Sequence, residues 1–127
     1  MSDFTTIPAA SVPISEICDK HLRGIVLDVF WCLTEYGNVN KRMITDIFME
    51  HDKRENTKKT SYRTVLDIAI AKLDAAMFID SYEDGNKDIY FLTEYGKIAQ
   101  KYVTEMLDND PTRMRGSIIL ESLSREE

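Results

Sequence analysis

Apolar side chains recur at steps of three and four from Ile17 onward. Ile17, Leu22, Ile25, Val26, Val29, Phe30 and Leu33 fall on one broad stripe, the mark of a helix with one buried face. Ser15, with Glu16 behind it, suits an N-cap, and Gly37-Asn38 supplies a stop. One helix is therefore expected from Ser15 to about residue 35. The pattern then predicts a shorter helix from about Asn40 to Glu50, capped by Asn40 and buried through Ile44, Ile47 and Phe48. "HDKRENTKKT" breaks the periodicity. A third helix restarts at Thr60 or Ser61 and runs to about Met77, burying Leu66, Ala69, Ile70, Leu73 and Met77.

After Met77 the period changes from helical to extended. "FIDSY" and "DIYFL", rich in aromatic and β-branched residues, read as two strands around an Asp84-Gly85-Asn86 turn that tolerates positive φ. Leu92 ends the second strand pointing inward. Thr93 caps a long helix through "EYGKIAQKYVTEML", expected to be buried through Ile98, Tyr102, Val103 and Met106. Gly96 lets that helix lie close to a neighbour, and Pro111 marks its end. The fold class is mainly α with a small β-hairpin (α+β), in the order helix-helix-helix-hairpin-helix plus a C-terminal tail. Residues 1–14 read as an N-terminal arm. Residues 108–127 read as a tail that is allowed to be helical and is placed in a dimer contact through Ile118, Ile119, Leu120 and Leu123.

Composition changes this picture only locally. Length, 43% hydrophobic and 30% charged residues suit one globular domain, and no apolar run approaches the ~18 residues of a membrane span. With no basic-then-apolar leader and only Cys18 and Cys32, a reducing cytoplasm is the expected location. The net charge is −6, which disfavours phosphate as a partner, but the charges are unevenly spread. Lys41, Arg42, Lys53, Arg54, Lys58, Lys59 and Arg63 face only Asp46, Glu50, Asp52 and Glu55 in the segment 38–63, leaving it at +3 and the rest at −9. The hairpin is the opposite: Asp80, Glu83, Asp84 and Asp88 outweigh Lys87.

The words "KLDAAMFID" closing the third helix, and "YFLTEYGKIAQ" with its Leu-Thr-x-x-Gly step out of the second strand, carry a resemblance. Over residues 20–107 the chain resembles the winged helix-turn-helix domains of bacterial and archaeal regulators such as the MarR and PadR groups. The resemblance makes 15–107 a winged-helix domain and the hairpin its wing. It implies a non-enzymatic, dimeric transcriptional regulator that binds double-stranded DNA with its third helix in the major groove. It also implies glycine where Met77 stands, so that corner is expected to close differently.

Carried onto this chain, Ser61, Tyr62, Arg63, Thr64, Asp67, Ile68 and Ala71 form the exposed reading face, with Arg63 suited to guanine. Thr60, Lys58 and Lys59 precede that helix, where ammonium groups and free N–H groups both favour phosphate. Lys41, Arg42, Lys53 and Arg54 complete the patch, and Asn86 and Lys87 are the hairpin residues that phosphate would not repel. The acidic hairpin supports an alternative, a winged-helix module that binds a protein partner. A plasmid or viral DNA-segregation (centromere-binding) protein would use the same DNA chemistry.

No nucleophile–base pair, phosphate loop or catalytic carboxylate pair is present, and no cofactor is implied. Cys18, His21, Cys32 and His51 lack a second close pair for zinc, and "DGNKD" lacks calcium-loop spacing. Cys18, near a helix start, is weighed as a redox sensor through a lowered pKa. Trp31 beside Phe30 reads as core or dimer packing. A homodimer is expected through the first helix with Trp31, the last helix and the tail.

Overall fold

The computed structural model describes residues 12–54 and 57–126. Among them are six α-helices and one antiparallel hairpin: α1 (Ile14–His21), α2 (Gly24–Tyr36), α3 (Lys41–His51), α4 (Arg63–Ala75), β1 (Ile79–Asp84), β2 (Lys87–Leu92), α5 (Glu94–Asn109) and α6 (Ile119–Glu126). A 3-10 turn, Lys59–Tyr62, leads into α4, and another, Pro111–Met114, follows α5. Residues 1–11 of the expected arm lie outside the described residues.

The single first helix is in fact two. Its apolar stripe runs through, since Leu22 is fully buried, but the backbone breaks at Arg23-Gly24. Arg23 is extended and Gly24 takes φ +57, in the left-handed region, where a Cβ would lie 3.5 Å from the Gly116 carbonyl oxygen. Hydrophobic period reports which face is buried and is blind to such a break. Nor does Ser15 cap: α1 begins at Ile14 after an extended Pro13, with no side-chain cap.

α2 is the centre of the molecule. Val26, Leu27, Val29, Phe30, Cys32 and Leu33 are all buried on it, and α4 packs along it. α1 packs on α5 and α6 on α3. Between α2 and α3, Val39 exchanges backbone hydrogen bonds with Tyr90 (3.0 and 2.7 Å), tying that connection to β2. Asn40 caps α3 as expected, its side chain accepting from the Met43 N–H at 2.9 Å.

The hairpin pairs Ile79 with Leu92 through Asp84 with Lys87, and Gly85 carries the positive φ of the turn. Met77 is not buried on α4. The helix ends at Ala75, and Met77 is 70% exposed at φ +67. The Phe78 N–H donates to Leu73 O and the Met77 N–H to Asp74 O. That is the Schellman arrangement, with methionine where glycine is usual. The corner therefore closes in the glycine conformation after all, against the expectation.

Thr93 holds this corner from the other side. Its hydroxyl donates to Met77 O (2.7 Å) and accepts from the Gly96 N–H (2.9 Å), capping α5. A Cβ on Gly96 would fall 2.0 Å from Phe78 O, so the start of α5 is pressed directly on the strand entry. The buried positions of α5 are Gly96, Ala99 and Val103, whereas Ile98 and Tyr102 are exposed. The close approach at Gly96 rotates the buried face onto small side chains and turns the bulky ones out.

The tail is a working part of the core. Ile119 and Leu120 are buried, and Ile118 and Leu123 pack against them. Asp28, fully buried on α2, caps α6: its carboxylate accepts from the N–H groups of Ile118 (2.6 Å), Ile119 and Leu120 (both 3.2 Å). The apolar cluster 118–123 is thus largely packed within the chain, with Ile118 and Leu123 left partly buried.

Candidate functional site

The N-terminal ends of α3 and of the 3-10 turn before α4 converge because α3 and α4 pack around the same core, through Phe48 and Tyr62 (ring centroids 5.4 Å apart) and Leu66. Their meeting leaves a cleft of about 520 Å³ lined by Lys41, Arg42, Thr45, Lys59, Thr60, Arg63, Leu66 and Asp67. A second hollow of about 250 Å³ shares Lys41 and Arg42 and continues to Asn40, Asn86, Lys87, Asp88 and Tyr90. The two form a path from the start of α4, across the start of α3, to the hairpin turn. Five cations line it, Lys41, Arg42, Lys59, Arg63 and Lys87, against Asp67 and Asp88. The Val39–Tyr90 bridge brings the hairpin to this path.

Two of those lysines already have partners. Lys41 Nζ lies 2.5 Å from Asp67 Oδ1, and Lys59 Nζ lies 3.0 Å from Asp46 Oδ1. The Asp67 hydrogen bond raises the Lys41 pKa above the ordinary lysine value. Arg42, Arg63 and Lys87 make no ion pair among the described residues. Ser61 is exposed in the 3-10 turn and Thr64 at the start of α4, as are Ile68 and Ala71 further along it, and Lys58 is exposed just before the turn.

Three expected contact residues are placed otherwise. Tyr62 is 2% exposed, so its ring cannot read a base; its hydroxyl donates to the Asp52 carboxylate. Arg54 folds back on the same carboxylate, donating from Nε at 3.0 Å and Nη2 at 2.7 Å. The Arg54 bonds, joined by the Tyr62 hydroxyl, hold Asp52 well below the usual carboxylate range, while burial pushes the Tyr62 phenol up to about 12. Lys53 lines, with Arg54, a different hollow, beside His51, Ser117, Glu121 and Arg125. The patch read as one from the sequence is therefore split by a latch of Asp52, Arg54 and Tyr62.

Sequence reasoning missed Asp28 and the pairing roles of Asp46, Asp52 and Asp67. Asp28 had a visible signal, a lone charge inside "IVLDVFWCL". Burial pushes its carboxyl up to about 6, outweighing the three N–H donors that favour the anion. The redox expectation for Cys18 is overturned by the same physics. Both cysteines are buried free thiols, and burial pushes Cys18 up to about 11 and Cys32 to about 12, so little thiolate exists at neutral pH.

Among the described residues, no cluster of three or more His, Cys, Asp or Glu could hold a metal ion, and no helix is long and apolar enough to cross a membrane. Comparison with protein-family models, with curated proteins and with solved structures found no match.

Proposed function

We propose that the chain is a winged-helix module that binds double-stranded DNA without catalysing a reaction, most simply as a transcriptional regulator. What carries the proposal is the path of five cations contributed by α3, the α4 segment and the hairpin turn. Such a path spans several phosphates, which a single lysine-rich loop would not. In this reading α4 enters the major groove by its first turn. Arg63 and Thr64 face base edges, while Lys41, Arg42, Lys58, Lys59 and Thr60 meet the backbone and Lys87 and Asn86 meet it from the hairpin. The −6 balance is no obstacle at this range, because salt screens charge beyond ~8 Å.

One reading helix with a handful of phosphate contacts gives modest affinity, so the active form is taken to be a homodimer presenting two helices about one DNA turn apart. Tyr95, Ile98 and Tyr102 form an exposed stripe on α5 suited to pairing copies. Sedimentation at tens of micromolar should give a dimer; a monomer there removes the two-helix geometry.

A second reading, a protein-binding module, is favoured by two observations. Lys41 and Lys59 are already paired, and β1 exposes Asp80, Tyr82, Glu83 and Asp84. Titration of a mixed-sequence duplex between about 50 and 200 mM salt separates the two. DNA binding through four or five phosphates should give a log–log slope of about −4, whereas an adaptor binds no duplex at either salt.

A further inference from the structure

The two paired lysines of the cleft are held in a reciprocal arrangement. Lys41 opens α3 and reaches Asp67 on α4; Lys59 opens the segment leading into α4 and reaches Asp46 on α3. Each element thus offers one ammonium and one carboxylate to the other. All four side chains are half exposed, at 51–59%. Pairs so wet are weak and exchange readily, and they add little to the stability of the helix contact. Arg42 and Arg63 line the same cleft with no such partner among the described residues.

A carboxylate meets an ammonium much as a phosphate oxygen does. We infer that Asp46 and Asp67 act as built-in counter-charges that hold the phosphate positions of Lys59 and Lys41 in the free protein. The cleft then discriminates by phosphate multiplicity. A single phosphate has to displace a tethered carboxylate of high effective concentration for one ammonium contact. A polyphosphate backbone first engages Arg42 and Arg63, and its further exchanges at Lys41 and Lys59 become intramolecular as well. Isolated phosphate is thus penalised at Lys41 and Lys59 more than a duplex backbone is. This inference rests on the DNA-binding reading and concerns regulation of that same site.

The test compares the wild type with Asp46→Asn, Asp67→Asn and the double variant, which keep shape and an acceptor oxygen but lose the charge. Both aspartates are exposed, so an unchanged melting curve should verify the fold. Affinity for a mixed-sequence duplex should rise about fivefold per carboxylate removed. The log–log salt slope should steepen by up to about 0.9 per lysine released. Inorganic phosphate, followed by isothermal titration, should bind the double variant more tightly than the wild type. In a Lys41→Ala background the gain from Asp67→Asn should fall to about half or less, since its partner is gone.

Unchanged affinity and slope in the variants, with a wild type that binds the duplex, overturns the inference alone. So does a gain undiminished by Lys41→Ala, which marks diffuse repulsion instead of pairing. If neither wild type nor variants bind duplex at about 50 mM salt, the DNA-binding reading falls, and this inference with it.

Discussion

Tyr62 shows how burial overrides a role inferred from position along the chain. Its spot ahead of α4 matches a reading residue, yet its ring is buried against Phe48 and its hydroxyl is spent on Asp52. Tyr62→Phe should therefore lower stability by about 1 kcal/mol, the worth of one such bond, and leave duplex affinity within twofold. Urea denaturation and an anisotropy titration check the two halves. Asp28 is a burial effect of the same kind. Its carboxyl is raised to about 6 in the fold, above the ordinary carboxylate value, so the folded chain holds the proton more tightly than the unfolded one. The stabilising contribution is fully present below about pH 4 and is lost as pH rises through about 6. Between those limits the stability difference between wild type and Asp28→Asn should shift toward the wild type on acidification. A difference that is flat with pH contradicts the assignment. Asp28→Ala, leaving three N–H groups at the head of α6 without an acceptor, should cost about 2–3 kcal/mol near neutral pH and more on acidification, since alanine lacks the titration.

At the level of elements, the hairpin, α3 and α5 could be read from the sequence almost to the residue. Each is announced by local chemistry: Asn40 and Thr93 accept from the helix N–H groups that their positions imply, and Gly85 takes the turn conformation. What could not be read depends on contacts between distant segments. The break at Gly24 sits beside Gly116, and the outward turn of Ile98 and Tyr102 answers the Phe78 backbone at Gly96. No pattern within either helix records those neighbours. The close of α4 combines both cases, since its capping bonds are local but methionine occupies the left-handed position. Met77→Gly should stabilise the fold by about 1 kcal/mol, because the exposed side chain packs little and the strained φ is relieved. A raised denaturation midpoint with an unchanged slope is the expected result. Gly96→Ala should act in the opposite sense and far more strongly, its methyl carbon meeting a backbone oxygen that cannot move aside.

On the scale of the whole molecule, a charge count along the sequence does not see how the fold partitions the cations. Counting charges from 38 to 63 treats Lys53 and Arg54 as equals of Lys41 and Arg42. The fold sends the first pair toward α6 and the second into the path shared with Arg63 and Lys87. It also supplies Asp46 and Asp67 as partners, which a charge count sees only as subtraction. In the proposed DNA-binding reading, duplex affinity rests on the two cleft arginines, Arg42 and Arg63, which no described carboxylate holds. The most direct measurement is the salt dependence of duplex binding by the wild type beside an Arg42→Ala/Arg63→Ala variant of unchanged helical content. The wild type should show a log–log slope of about −4. The variant should bind more weakly, with a slope shallower by about 1.8, because two phosphates are no longer neutralised. Equal slopes and equal affinities for the two proteins would contradict the account.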